Sequence, residues 1–132
     1  MPEVSARNRL VDLDTSRPVW ERFFTVAPLV LLGTTDKAGS PDFAPKHMVT
    51  PMGWQNFFGF VCSPGHSTCS NIQRTGVFSV SYPKPSKILF SSLAASPRQD
   101  GHKPVLDYFT TFPGQTVNVA LIEEAYLYFE CR

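Results

Sequence analysis

The chain has 132 residues, with 12 Lys+Arg against 11 Asp+Glu and a net charge of +1. A balance this close to neutral excludes the strong one-signed field by which proteins gather nucleic acid or anionic membrane. Charged residues are only 17% and aromatics 13%, eleven of them Phe, so the chain carries enough apolar surface to fold and global disorder is excluded.

Residues 1–15 are charged and lack periodicity, and read as an N-terminal arm. Residues 16–132 read as one domain. Twelve prolines, spread from Pro2 to Pro113, point to short elements and many turns. Ser16 is a candidate N-cap, with Pro18 and Glu21 in the first turn of a short helix to Phe24, which Pro28 stops. Leu29–Thr35 is a continuous apolar run and predicts a strand buried on both faces. The polar loop Asp36–Ser40, with its Gly39, predicts a hairpin into a second arm, Asp42–Thr50. Pro45 within that arm demands an edge or a bulge, because proline cannot donate to the ladder.

Asn56–Cys62 predicts a third strand. Ser67 is placed to cap a helix over Thr68–Thr75, with Gly76 just past its end. Val77–Tyr82 alternates as a fourth strand. A short apolar helix is expected at KILFSSLAA, then a polar loop over Pro97–Lys103. Gln115–Val119 looks strand-like and Leu121–Glu124 looks like a link. Ala125–Arg132 alternates as a final strand with one apolar face. The whole is mainly β with short helices, in antiparallel Greek-key arrangement.

Three cysteines, Cys62, Cys69 and Cys131, with no CxxC spacing, argue against a disulfide framework or a zinc site. The polar N-terminus has no apolar core of a signal peptide, and no run approaches the roughly 20 apolar residues of a membrane helix. The expected setting is cytoplasmic, with no membrane or nucleic-acid partner.

From His47 to Gln73 there is no Asp, Glu, Lys or Arg. This stretch holds Trp54, Phe57, Phe58 and Phe60, followed by Ser63, His66, Ser67, Thr68, Ser70 and Asn71. Such a surface faces core, a ligand or a partner subunit. Its polar end stands where strand gives way to helix. There the outward amides carry partial positive charge and suit a phosphate, with the Ser67 and Thr68 hydroxyls and His66 as further donors. The plainer alternative is that Ser67 only caps the helix. No GxGxxG, no GxxxxGK[ST] and no GxSxG elbow occurs, and His47, His66 and His102 have no metal-ligand spacing. No catalytic side chain is identified.

The order GTTDKAGSPDFAPKHMV, NFFGFVCS, PGHSTCSNI, QRTGVFSVSYP and LIEEAYLYFECR resembles the flavin reductase-like family, which has an FMN-binding split barrel. In that family an N-x-A-P-x-S strand lies beside the flavin ring, a K-D-T-x-x-N-I segment holds the phosphate, T-G-E-F-V-V-N follows, and E-C-R comes later. Ala44 and Pro45 match the A-P, and His47 stands at the usual Ser. Thr68, Asn71 and Ile72 match the phosphate segment, with His66 and Ser67 in place of its Lys and Asp. Gly76 and Phe78 match the next strand, and Ser81 replaces its Asn.

The resemblance implies FMN, with FAD as the alternative, bound by Ala44, Pro45, Lys46, His47, Met48, Ser63, His66, Ser67, Thr68, Asn71 and Ser81. It implies an oxidoreductase that passes hydride from NAD(P)H to flavin, or else an FMN-binding electron carrier without nicotinamide activity. Lys46 either stabilises reduced flavin or faces water. A homodimer is implied, with flavin near the subunit interface. Further strands follow E-C-R in that family, so the split barrel is expected to be C-terminally truncated here, or to present its last strand as an open edge.

Overall fold

The computed structural model describes residues 10, 12–17 and 28–132. The helix expected over Ser16–Phe24 falls mostly outside them. The described part of the arm is tied to the body where the Asn56 side-chain amide donates to the Thr15 carbonyl at 2.7 Å.

Among the described residues ten elements follow in order: β1 Val30–Thr35, β2 Pro41–Lys46, β3 Val49–Pro51, β4 Phe58–Phe60, α1 Ser67–Thr75, β5 Phe78–Pro83, α2 Ile88–Leu93, β6 Thr111–Pro113, β7 Ala120–Ile122 and β8 Ala125–Cys131. Short 3-10 turns precede α2 at Pro85–Lys87 and β6 at Pro104–Tyr108. A four-stranded antiparallel sheet runs β2-β1-β5-β8, and β3-β4 and β6-β7 form two-stranded sheets beside it.

The β1–β2 hairpin closes as expected. Asp36 Oδ1 accepts the amides of Ala38 and Ser40 at 2.9 and 2.8 Å, the side-chain turn that Asp favours. Pro45 does sit on an edge strand, where its missing donor costs no ladder bond. The second arm is not continuous, however. It breaks at His47–Met48, and Val49–Pro51 leaves β1 to pair with β4.

The period of two divides the side chains. Register sets Val30, Leu32 and Thr34 of β1 beside Lys46, Ala44 and Asp42 of β2. That face carries a core of Val30, Leu32, Val80 and Tyr82, joined by Leu127, Phe129 and Cys131 of β8 and closed by Val49, Phe58 and Phe60. The opposite face carries Leu31, Phe43, Ala94, Phe109 and Ile122. Val30, Leu31 and Leu32 are all fully buried, and burial of each contributes roughly 2 kcal/mol. This explains why β1 reads as an unbroken apolar run.

Gly33 stands where β7 crosses β1. A Cβ there would collide with Ser79 Oγ and lie 2.8 Å from the Ala120 carbonyl oxygen. Ser79 Oγ itself donates to that carbonyl at 2.6 Å.

Gln115–Val119 is not a strand. Its alternating valines mimic one, but the backbone donors go elsewhere. The amides of Gln115, Thr116 and Val117 point at the Glu130 carboxylate at 2.9, 2.7 and 2.9 Å, and the Thr116 hydroxyl adds a bond at 2.9 Å. The strands are Thr111–Pro113 and Ala120–Ile122 on either side, so the expected link at Leu121–Glu124 is partly strand. Partial burial pushes the Glu130 carboxyl up, but these four donors outweigh it and hold it below the usual range. Burial, with Glu130 alongside, pushes the Cys131 thiol up to about 12.

Candidate functional site

The site is built where α1 meets the β1–β2 hairpin. His66, in extended backbone, is the N-cap residue, and its carbonyl takes the amides of Cys69 and Ser70 at 3.0 and 3.3 Å. Among the described residues, the amides of Ser67 and Thr68 have no protein acceptor. They stand at the positive end of the helix dipole. Gly76, at φ 72°, ends the helix in the left-handed region and returns its amide to the Ile72 carbonyl at 2.7 Å.

Ser67 is therefore the first helical residue and not the cap. Its hydroxyl donates to Asp42 Oδ2 at 3.0 Å. A hydroxyl has one hydrogen, so Ser67 cannot also donate its side chain to an anion. Thr68 is only 2% exposed, which leaves little of it where an anion would approach. Asn71 is buried too, and its amide donates to Thr34 Oγ1 at 3.0 Å, while Thr34 donates to the Asp42 carbonyl at 3.3 Å. Arg74 reaches the Thr35 carbonyl. Through Ser67, Asn71 and Arg74, α1 is bolted to the end of the hairpin.

At the centre is Asp42, 1% exposed. Arg98 Nη2 lies 3.1 Å from Oδ2 and Lys103 Nζ lies 3.1 Å from Oδ1. Lys103 also donates to the carbonyls of Phe43 and Ala94 at 3.0 and 3.3 Å. Burial alone would raise the Asp42 carboxyl. The Lys103 charge, with Lys103, Ser67 and Arg98 as donors, overcomes it and holds the group below the ordinary carboxylate range. A buried carboxylate without such partners would cost several kcal/mol, about 3–5 for a broken pair.

Of the residues expected in the site, Ala44, Pro45 and Lys46 lie half-buried on β2, and His47 and Met48 are exposed in the bend that follows. Ser63, His66 and Ser67 are exposed at the entry to α1. The Asp42–Ser67 bond and the Asn71–Thr34 bond join these two groups. Ser81 is not brought to them. It is fully buried on β5, across Leu31 of β1 from Pro45, where its hydroxyl accepts the Ile122 amide at 3.4 Å. The uncharged stretch divides likewise: Phe58 and Phe60 enter the core, while Met48, Met52, Trp54, Phe57 and Val61 are exposed on and beside the β3–β4 hairpin. Sequence reasoning misses Asp42, Arg98 and Lys103. The available signal is a carboxylate between Pro41 and Phe43 in a strand, at the inward position two before Ala44.

The profile of the flavin reductase-like domain matches residues 23–132. The chain belongs to the flavin reductase-like family. A comparison with curated proteins finds no match. Among solved structures the chain is similar to flavoredoxin of Desulfovibrio vulgaris (Miyazaki F), with TM-score 0.69 and 18% identity over 79% of this chain and 58% of that one. It is similar to a protein with a split barrel domain from Shewanella frigidimarina NCIMB 400, assigned as a flavin reductase, with TM-score 0.69 and 16% identity over 79% and 54%. It is also similar to an FMN-binding domain of a flavin reductase-like enzyme from Shewanella baltica OS155, with TM-score 0.70 and 13% identity over 80% and 56%. The chain spans a little over half the length of these three. At such identities the likeness is one of fold, and the fold is the mainly β, antiparallel split barrel of this family.

For a flavin reductase-like domain the residues present fit a flavin nucleotide. Two unaccepted amides stand at the α1 dipole, and half-buried Ala44 and Pro45 stand on the strand bolted to it. Among the described residues no helix is long and apolar enough to cross a membrane, and no three His, Cys, Asp or Glu gather to hold a metal.

Proposed function

We propose that the chain binds FMN, with FAD as the alternative occupant, and serves as an NAD(P)H-dependent flavin oxidoreductase. The observation that carries this reading is the junction itself. One tie, Asp42 to Ser67, holds the amino end of α1, where two amides lack a protein acceptor among the described residues, against β2.

The amides of Ser67 and Thr68 would hold the phosphate, with exposed His66 and Ser63 at its margin. Ala44, Pro45 and Met48 would border the ring, and Lys46 would place a positive charge near it. Bound flavin supplies hydride acceptance from a nicotinamide nucleotide, and no side chain of the chain has to form a bond. The protein's own work is to bind, orient and exclude water. Five exposed apolar side chains, Met48, Met52, Trp54, Phe57 and Val61, support pairing of two copies through the β3–β4 hairpin. The three cysteines are all free thiols, which suits a cytoplasmic setting.

The test is spectroscopic. Purified protein mixed with FMN and freed of excess should stay yellow, and should bleach when NADH or NADPH is added without oxygen. Retained colour without bleaching selects the electron-carrier alternative. Failure to retain either FMN or FAD removes the flavin reading.

A further inference from the structure

We propose that Asp42 is a positioning residue of the flavin site, setting the amino end of α1 against β2 through Ser67, with Arg98 and Lys103 as its counter-charges. The assignment rests on the flavin reading above.

Three observations carry it. First, a carboxylate that is 1% exposed is held at both oxygens: Ser67 donates a hydrogen bond to Oδ2, and Arg98 and Lys103 lie in ion-pair contact with Oδ2 and Oδ1. Such a group can hold its neighbours but has no face left for a ligand. Second, the tie is short. Asp42 precedes Ala44 by two residues on the same face of β2, and Ser67 begins the turn whose amides are unaccepted. A shift at Asp42 therefore moves the phosphate end relative to the ring strand.

Third, the first turn of α1 carries no acidic residue, so the helix end sets no fixed negative charge of its own beside an incoming phosphate. The nearby carboxylate of Asp42 lies inside, neutralised by Lys103 and by Arg98, whose Nη1 also lies 3.7 Å from Asp36. The loop over Pro97–Lys103 thereby gains a role, because it supplies both cations to the buried carboxylate.

A double-mutant cycle on flavin affinity tests this, with Kd read from quenching of flavin fluorescence for FMN and for riboflavin, which lacks the phosphate. Asp42→Asn and Ser67→Ala should each weaken FMN about tenfold and leave riboflavin nearly unchanged. The double variant should be no worse than the poorer single, because Ser67 acts through Asp42. Additive losses overturn the proposal, since they mean that Ser67 touches the phosphate directly. Equal losses for FMN and riboflavin also overturn it, since they mean a general loss of structure. If Asp42→Asn fails to fold, Arg98→Gln, at a side chain that is 28% exposed, replaces it in the same cycle with the same criteria. A native chain that binds neither flavin refutes the flavin reading itself. A native chain that binds both, with an FMN to riboflavin ratio unmoved by Ser67→Ala, refutes the role of Asp42 alone.

Discussion

Glutamine at position 130 keeps the shape of the side chain and removes its charge. In the native protein Oε1 accepts one amide, from Gln115, while Oε2 accepts the amides of Thr116 and Val117 and the Thr116 hydroxyl. A Gln oxygen turned to the Oε2 position keeps three of the four bonds, each weakened from charge-assisted to neutral. Its NH2 group then faces the Gln115 amide, donor against donor. Losing one bond and weakening three amounts to about 3–4 kcal/mol if fully shielded. Glu130 is only half-buried, so solvent screening brings the expected loss to about 2 kcal/mol. For a chain of this size that lowers Tm by roughly 6–10 °C. Thermal unfolding followed by circular dichroism measures the whole effect. Hydrogen exchange at the amides of residues 115–117 localises it, with faster exchange there than at β1. Unchanged Tm together with unchanged protection at those amides would refute the cage.

Three further outcomes are expected. Asp42 and Glu130 both ionise at lower pH in the folded chain than in the unfolded one. Their contribution is therefore complete above the ordinary carboxylate range, near pH ~4, and is lost as pH falls through their folded values; urea titrations from pH 6 to 2 should show this, with a smaller slope for Glu130→Gln. Gly33→Ala should cost about 2 kcal/mol or more, by the same titrations at neutral pH, because backbone at Ala120 blocks the new methyl group and cannot rotate away. Trp54→Ser with Phe57→Ser should convert a pair of copies into single chains on light scattering while Tm changes little, since both side chains are exposed; an unchanged mass sinks the proposed pairing face.

The elements most legible in the sequence are those whose signal is local. The apolar run of β1, the turn at Asp36–Ser40, and the alternation of β5 and β8 each follow from neighbours in the chain. So does Gly76 at the end of α1. Where sequence and structure differ, a distant group has captured a local donor or a turn of the strand has hidden a side chain. Val117 and Val119 give 115–119 the rhythm of a strand, but Glu130 takes the backbone amides that would have made a ladder. Ser67 has the chemistry of a cap, but Asp42, 25 residues earlier, takes its hydrogen. Ser81 stands at a family position, yet alternation turns it beneath β7. The motif resemblance supplies the flavin strand and phosphate segment as separate pieces. What joins them, Asp42 with Arg98 and Lys103, depends on tertiary contacts that no local pattern announces.

The ammonium of Lys103 also bears on how the molecule behaves in company. β2 is the outer strand on one side of the four-stranded sheet, and an unpaired carbonyl on such a strand ordinarily recruits a stranger's backbone. Here the Phe43 carbonyl is already spoken for by a buried cation that is held in turn by Ala94 and Asp42. An intruding strand would have to evict that cation and strip Oδ1 of the buried Asp42 carboxylate of its ion pair, leaving Arg98 at Oδ2 as its remaining counter-charge. The residue that balances charge at the helix junction thus also guards the sheet against templated aggregation on this flank.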